Sequence, residues 1–541
     1  MKHLTSLFLC LLSFASTEAQ TLVKEFTPGS FGSYFYFMGN TQKGFVMNVY
    51  NPTFGVEPWI SDGTNEGTFM LKDINPGASN SLFSNDAFSN DTLLYFLAFS
   101  ESSNNVVNLW RTDGSINGTY FIDSLGPNYP NKYYEEAIFY KGEFYYFVSN
   151  QSYKTLYATD GSPKKPRKVY SFTDSNYVSR SSIKIFNNQL YFYGYDNKHG
   201  AELWTTDGTT AGTKLVFDLN TGPNSSKFNN GQLLSCQNKL FFVAQRYSQE
   251  GYELFYINKQ SNEPWLLKDF TPLSNKSSQI TLIEGNDSFF LFNVLNSAPA
   301  ETYVSDGNWS NTRKFHAPKE PDPNPYHYTY GVHKTKNFTL VTSYTSATGA
   351  ELFKSDQQFN NLGLLRDINP GIGNSINGNY TKIFEVGKKA YFLGFNFMLG
   401  NDIWVTDGTS DSTLIYLEFA GNNQTMSDIL HQWNNRLFFA ETVDLNIGTE
   451  LYELNINRNT SIEQAQLNST SIYPNPISAG QVLTLSDQEC SFELYNTLGQ
   501  LVWKGHSTNG QCSLPDRINK GIYYISVSTE TRNLKAKILI Q

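Results

Sequence analysis

The chain has 541 residues and a formal net charge of −9, and its 39% hydrophobic content is typical of a folded protein, which excludes general disorder. The acidic balance excludes nucleic acid as a partner, because few cations would be left to neutralise phosphates. Aromatic residues make up 15% of the chain, which favours strands over helices.

The first 19 residues have the pattern of a secretory signal peptide. A basic start precedes the apolar run 4–14, which is too short to span a membrane, and the segment 17–19 resembles a cleavage site. Cleavage is predicted after Ala19. Cys10 raises the alternative of a lipid anchor, but Leu9 before it is too bulky for the usual lipobox. No later segment has 18 consecutive apolar residues, so no transmembrane helix is predicted.

One phrase then recurs along most of the chain: VEPWISDGTNEGT at 56–68, VNLWRTDGSINGT at 107–119 and AELWTTDGTTAGT at 201–213. Six weaker copies follow the same pattern, and all nine carry an aromatic residue at one position, with a mean spacing of about 49 residues between position 59 and position 452. We call these residues the marker aromatics. They are Trp59, Trp110, Tyr157, Trp204, Phe255, Tyr303, Phe353, Trp404 and Tyr452.

Each unit contains four β-prone runs bounded by Gly, Pro, Asn and Asp. Around the fourth marker these runs include SIKIF (182–186), QLYFYGY (189–195) and KLVFDLNTGP (214–223). Four strands at this period are typical of a propeller blade. The sequence therefore predicts an all-β fold, a closed β-propeller over 20–457 with nine four-stranded blades, or eight if one unit is distorted.

The two ends of the repeat array predict how the ring closes. The ninth unit lacks a fourth run, because the polar stretch 458–470, predicted to be a linker, follows it directly. The segment LVKEFTPGS (22–30) resembles LLKDFTPLS (266–274), which is the fourth run of the fifth unit. We expect the N-terminal segment to complete the last blade and to cover its open edge.

Six copies carry Asp followed by Gly, which indicates a tight turn, predicted between the second and third strands of a blade. The Asp side chain can accept hydrogen bonds from amides two residues on, and Gly permits positive φ. Calcium is the alternative, but single acids on separate blades cannot supply the about six to eight oxygens that it needs. The six residues are Asp62, Asp113, Asp160, Asp207, Asp306 and Asp407.

The marker aromatics are predicted to pack between neighbouring sheets. The alternative, a platform for stacking sugars, would need exposed rings. His316, His327 and His333 cluster in the Pro- and aromatic-rich stretch 315–333, which is predicted to be an inter-blade connection. A metal site and a ligand-facing loop are the two functional alternatives for that stretch.

No signature of a nucleophile enzyme, zinc protease, P-loop or dinucleotide site is present. No catalytic residue, cofactor or metal ligand is therefore predicted. A hydrolase with paired carboxylates from distant blades stays an alternative, because such a pair leaves no local motif.

The last 71 residues form a separate unit, in which runs such as SFELYNT and GIYYISVST predict a small Ig-like β-sandwich over 471–541. This unit resembles the type A C-terminal sorting domain (Por secretion tail) of the type 9 secretion system. The repeats resemble the ELWxxDGTxxGT units of large secreted bacterial proteins. The residues that match the sorting motif are Pro474, Asn475, Pro476, Tyr495, Gly499, Gly521 and Tyr523.

Three cysteines remain after cleavage. Cys490 and Cys512 lie 22 residues apart in the C-terminal unit and are predicted to form a disulfide in an oxidising compartment. Cys236 is left without a partner and is predicted to be a small buried residue.

The sorting-domain resemblance implies a Gram-negative bacterium and export in two steps, across the inner membrane into the periplasm and then through the outer-membrane machinery, which is the one partner it identifies. We expect a secreted or cell-surface binding or adhesion scaffold whose propeller face binds a protein or a glycan. The alternative is an extracellular glycan-directed hydrolase with carboxylates in the propeller funnel.

Overall fold

The computed structural model describes most of 20–456 and the strands of the C-terminal unit. The described ranges are 20–27, 34–82, 87–99, 106–127, 137–149, 154–172, 182–226, 231–247, 251–270, 279–295, 300–315, 327–378, 381–396, 400–417, 419, 430–444, 448–456, 482–484, 489–495, 501–508, 511–515, 518–519, 521–528 and 533–540. The predicted signal peptide, the linker 458–470 and the residues Pro474, Asn475, Pro476 and Gly499 lie outside them. None of the described segments is a helix long and apolar enough to cross a membrane.

Nine four-stranded antiparallel sheets confirm the predicted propeller and its nine blades. Blades 1 to 8 each consist of four strands that are consecutive in the chain, because tight turns connect alternating apolar runs. The strands of blades 1 to 4 are β2 Phe35–Thr41, β3 Gly44–Asn51, β4 Gly55–Ser61, β5 Phe69–Met70; β6 Ala87–Ser89, β7 Leu94–Phe99, β8 Val106–Thr112, β9 Tyr120–Pro127; β10 Ala137–Tyr140, β11 Glu143–Ser149, β12 Lys154–Thr159, β13 Arg167–Phe172; β14 Lys184–Phe186, β15 Gln189–Asp196, β16 Gly200–Thr206 and β17 Lys214–Phe217.

The strands of blades 5 to 8 are β18 Leu233–Cys236, β19 Lys239–Ala244, β20 Glu253–Asn258, β21 Trp265–Lys268; β22 Gln279–Ile283, β23 Phe290–Leu295, β24 Glu301–Ser305, β25 Arg313–Lys314; β26 His327–Lys334, β27 Thr339–Thr345, β28 Gly349–Ser355, β29 Leu362–Arg366; β30 Ile383–Val386, β31 Lys389–Asn396, β32 Gly400–Thr406 and β33 Leu414–Leu417. A short 3-10 helix, Trp309–Asn311, lies in the last turn of blade 6.

The ninth blade combines both ends of the repeat region, as predicted. It contains β34 Leu430–Trp433, β35 Arg436–Asp444 and β36 Gly448–Leu454, and its fourth strand is β1 Gln20–Lys24. Strand β1 runs antiparallel to β36, with Gln20 opposite Leu454. Blade 9 also contacts blade 1, where Trp433 Nε1 donates to the Thr41 carbonyl at 3.1 Å. The ring is therefore closed.

The core of the propeller lies between neighbouring blades. The second and third strands of each blade are almost wholly buried, and clusters of apolar side chains from two adjacent blades fill each space between them, such as Phe241, Leu254, Phe290 and Phe292 between blades 5 and 6. In blades 2, 3, 4, 5, 7 and 8 the pairing of the third and fourth strands shifts register at the marker aromatic, where the fourth strand has one extra residue. This β-bulge locally changes which side of the sheet the fourth-strand residues face.

The C-terminal unit contains one six-stranded antiparallel sheet, with the strand order β37-β40-β39-β38-β41-β42. Phe492, Leu494 and Ile525 are buried at its centre. Its strands are β37 Val482–Thr484, β38 Glu489–Tyr495, β39 Leu501–Thr508, β40 Gln511–Ser513, β41 Gly521–Ser528 and β42 Asn533–Ile540.

Candidate functional site: the turn face of the propeller

The Asp-Gly turns all lie on one face of the ring, which we call the turn face. They join the third and fourth strands of a blade, as Asp62 does between β4 and β5. The prediction that they join the second and third strands is therefore wrong. The marker aromatic lies in the third strand of the blade and not in the second, because two strands precede it, β2 and β3 in blade 1.

Each turn is held by its own side chains. In blade 4, Asp207 Oδ1 accepts hydrogen bonds from the amide of Thr209 at 2.9 Å and from its hydroxyl at 2.7 Å. These hydrogen bonds lower the pKa of Asp207. The Thr206 and Thr213 hydroxyls are 2.7 Å apart and join the two ends of the turn. The same amide contact two residues on is made by Asp62, Asp113, Asp160, Asp306 and Asp407.

The Gly of each turn has two structural constraints. Gly208 has φ +96°, a conformation that side chains rarely adopt. A Cβ at this position would also overlap the hydroxyl of Tyr145 in the preceding blade. Comparable overlaps would occur between Gly161 and Tyr95 and between Gly307 and Phe241. The turn glycines are therefore contact points between blades.

Basic side chains connect each blade to the turn of the next at seven of the nine junctions within the described residues. In blade 3, Arg167 Nη1 donates to the Gly208 carbonyl at 2.7 Å, and in blade 9 Arg436 donates to the carbonyls of Asp62 and Gly63 at 3.0 Å each. Sequence reasoning missed these links, because each joins residues of different units. The other donors are Lys43, Arg111, Lys239, Arg313 and Arg366.

The marker aromatics lie in the third strands, away from solvent. Trp204, Phe255, Tyr303, Phe353, Trp404 and Tyr452 are buried, and Trp59, Trp110 and Tyr157 are partly buried. In blade 4 the Trp204 ring packs against Phe172 at 5.1 Å between centroids. None of the nine presents an open ring on the surface.

A buried acid two residues before the marker was missed by the sequence analysis, although the letters VEPW, AELW and AELF show it in aligned units. In blade 4, Glu202 accepts hydrogen bonds from the amides of Leu219, Asn220 and Ser226 at 3.1–3.3 Å, and so anchors the connection to the next blade. Burial raises the pKa of Glu202 to about 8. The equivalent acids are Glu57 and Glu450, with pKa raised to about 7, and Glu351, with pKa raised to about 8.

The prediction that the histidine stretch 315–333 is an inter-blade connection is wrong for residues 327–333, which belong to the first strand of blade 7. His327 and His333 lie in β26, and His316 lies outside the described residues. The ring of His327 is buried, with Nδ1 2.7 Å from the Phe315 carbonyl, and burial lowers the pKa of His333 to about 4. Across the described part of the chain, no three His, Cys, Asp or Glu side chains are grouped so that they could share a metal ion.

A cleft of about 510 Å³ opens on the turn face between blades 7 and 8. Its walls include Phe338, Lys354, Asp356, Asn361 and Gly408. Phe338 is only 7% exposed, so its ring lines the cleft but does not present a face on which a ligand could stack.

Two of the described sorting residues have clear side-chain contacts. The Tyr495 hydroxyl donates to Glu493 at 2.5 Å, and the Tyr523 hydroxyl donates to the Asn519 carbonyl at 2.9 Å. Gly521 begins β41. Cys490 and Cys512 lie on β38 and β40, but their side chains lie outside what the structure describes, so the disulfide stays a prediction. Cys236 is free and buried, as expected.

A nine-bladed propeller followed by a small β unit defines a modular all-β protein. Residues 471–541 match the family described as secretion system C-terminal sorting domain. The chain therefore carries the sorting domain of the type 9 secretion system, which implies contact with that machinery and export to the cell surface or the medium.

No curated protein matches the sequence of the chain. The chain is similar in structure to PorZ, a surface component of the type-IX secretion system of Porphyromonas gingivalis, with 11% identity, a TM-score of 0.32, and coverage of 93% of this chain and 75% of PorZ. It is similar to AztD from Citrobacter koseri, with 13% identity, a TM-score of 0.38, and coverage of 71% and 93%.

The chain is also similar to prolyl oligopeptidase B from Galerina marginata, with 12% identity and a TM-score of 0.37. That likeness covers 65% of this chain and 53% of the enzyme, so the chain spans about half of its length. At TM-scores below 0.5, none of these likenesses carries an argument about function.

Proposed function

We propose that this protein is a secreted or cell-surface binding scaffold that crosses the periplasm and presents the turn face of its propeller to a protein or a glycan. The observation that carries this proposal is that the buried acids of the propeller hold backbone amides in place. Glu57, Glu202, Glu351 and Glu450 have the raised pKa values expected of catalytic acids. Each instead anchors backbone amides, Glu57 in blade 1 and Glu202 in blade 4 for example.

This use of the acids favours binding over hydrolysis. A glycosidase needs two carboxyl groups about 5–9 Å apart on either side of the scissile bond. The four acids above belong to four different blades and are engaged by their own connections, so they do not converge. The turn face, in contrast, combines a regular framework with side chains that differ between blades, which suits recognition.

Secretion and binding can be tested on the same protein. We expect the full chain to reach the surface or medium of a host with type 9 machinery, and a variant that lacks 471–541 to accumulate in the periplasm in folded form. The exported protein, screened on protein and glycan arrays, should retain a ligand without cleaving it.

Two results would contradict the proposal. Equal export of the truncated chain would show that the C-terminal unit does not direct secretion here. Release of reducing sugar ends from the retained glycan would favour the hydrolase.

A further inference from the structure

Two tryptophans outside the repeat pattern are exposed on the propeller. Trp265 and Trp309 are each 52% exposed, whereas the marker tryptophans Trp204 and Trp404 are 6% and 5% exposed. Single exposed apolar residues are normal on a protein surface, but two large aromatic rings grouped at one place point to a contact site. Both tryptophans belong to the junction between blades 5 and 6.

Trp309 is specific to blade 6. It is the third residue after Asp306 in the Asp-Gly turn and begins the short 3-10 helix. Among the other Asp-Gly turns none has an aromatic residue at this position, where Asn65, Ile116, Pro163, Thr210 and Ser410 stand. In blade 7, whose turn lacks the glycine, Phe359 occupies the position but is buried, so of these turns only that of blade 6 exposes an aromatic ring there.

Trp265 faces the same junction from blade 5. It lies opposite Tyr256, and the β-bulge at Leu267 in the fourth strand brings Lys268 opposite Leu254, on the side that packs against blade 6. At the equivalent fourth-strand position, Tyr120, Arg167 and Arg313 reach across to carbonyls in the turn of the next blade, at 2.5–2.8 Å. The repeat geometry therefore places Trp265 beside the turn that carries Trp309.

The lysine side chains at this junction contact other residues of the protein. The Lys268 ammonium lies 3.9 Å from the centre of the Trp309 ring, and Lys239 lies 4.3 Å from the centre of the Tyr256 ring and donates to the Gly307 carbonyl. Lys314 pairs with Glu301. These contacts fix the aromatic rings and occupy one face of the Trp309 indole, and the carboxylates of Asp306 and Glu301 offset part of the lysine charge.

The residues around the two indoles are polar. The turn NKQSN (258–262) precedes Trp265, and the turn GNWSN (307–311) contains Trp309. The buried core of a protein–protein interface is more apolar than the surroundings of these two rings. Amide and hydroxyl groups are instead suited to exchange hydrogen bonds with sugar hydroxyls, and the negative face of an indole attracts the C–H groups of a pyranose ring.

We propose that the junction of blades 5 and 6 is a binding site for a neutral saccharide, which stacks on Trp309 and Trp265. The proposal deepens the proposed binding function by naming its ligand class and site. The marker aromatics, which are shared by every blade, play no part in it.

The test is titration of the full exported chain with three neutral polysaccharides, laminarin, mannan and xyloglucan, and with anionic alginate. We expect binding to at least one neutral polymer, with an affinity that is unchanged between 0.1 and 0.5 M NaCl. Trp309→Ala and Trp265→Ala should each weaken that binding about tenfold or more.

Two matched controls occupy the same repeat positions in other blades. Ile116 is 57% exposed and corresponds to Trp309, and Phe69 is 37% exposed and corresponds to Trp265. Ile116→Ala and Phe69→Ala should leave the affinity unchanged. Protection of tryptophan fluorescence from acrylamide by the bound polymer, absent in the double tryptophan variant, reports the same contact independently.

Failure to bind any of the neutral polymers, equal affinity of the tryptophan variants and the parent chain, or loss of binding at high salt would each overturn the inference. In those cases a ligand found on the arrays that is insensitive to both tryptophan variants leaves the proposed binding function standing. The absence of any ligand on the arrays would contradict both the saccharide site and the proposed binding function.

Discussion

At the residue scale, the turn glycines combine a backbone requirement with a packing requirement, and the two can be separated. Gly208 has φ +96° and lies against Tyr145, whereas Gly222 has a similar φ of +91° with open space around it. Gly208→Ala should therefore destabilise the propeller by more than Gly222→Ala, which carries only the backbone strain of about 1–3 kcal/mol. Chemical denaturation of the two variants measures the difference. Equal losses would show that the blade contact at Gly208 contributes nothing.

The buried acids make the stability of the propeller depend on pH. The pKa of Glu202 is about 8 in the folded protein, above its ordinary value of about 4.5. Between these values the folded protein holds a proton that the unfolded chain has lost, so the contribution is fully present near pH 4.5 and is lost as pH rises to about 8. We expect the melting temperature to fall over this range.

Glu202→Gln should make that dependence less steep, because the amide keeps an acceptor oxygen but does not titrate. Some dependence remains, because Glu57, Glu351 and Glu450 continue to titrate. Glu66→Gln, a change of an exposed glutamate in the turn of blade 1, is the matched control and should melt with the parental pH profile. Melting curves between pH 5 and 8.5 that are parallel for the parent chain and Glu202→Gln would refute the assignment.

At the scale of elements, β1 is the strand on which ring closure depends. Besides its pairing with β36, the segment is anchored by Glu450, which accepts a hydrogen bond from the Phe26 amide at 2.5 Å. Deletion of Thr21 to Pro28 should expose the edge of β36 and cause aggregation or loss of cooperative unfolding.

A synthetic peptide of residues 20–30 added to the deleted chain should restore a sharp transition, since it supplies the missing strand. Light scattering and thermal melting report the two effects. Unchanged melting of the deletion variant without the peptide would show that the strand is dispensable.

Much of this architecture could be predicted from the sequence, because a period of about 49 residues and alternating apolar runs are local signals. The marker Trp204, the turn Asp207 and the N-terminal segment were all found in that way. The links that Arg167 and Arg436 make could not be predicted, because they join a side chain in one unit to a backbone carbonyl in another. The site at Trp265 and Trp309 departs from the repeat, so a search for shared positions passes over it.

At the scale of the whole molecule, the same links explain how a ring of nine thin sheets holds its shape. Among the described residues, the apolar clusters of the propeller are shared by adjacent blades, such as that of Phe241 and Phe290, which belongs to blades 5 and 6. The basic side chains add a second set of contacts on the turn face. A ligand at one junction is therefore held by a framework that its neighbours keep rigid, which limits the entropy lost on binding.

The pairing of the first strand with the last blade also sets the order in which the chain can fold. Thr21 and Asn455 are in contact although 434 positions separate them. Closing so long a loop in an unstructured chain costs about 4 kcal/mol more than closing a four-residue hairpin. The curvature of blades 1 to 8 has to bring the two ends together first. We therefore expect ring closure to be the last step in the folding of the propeller, and a chain truncated before β36 cannot complete it.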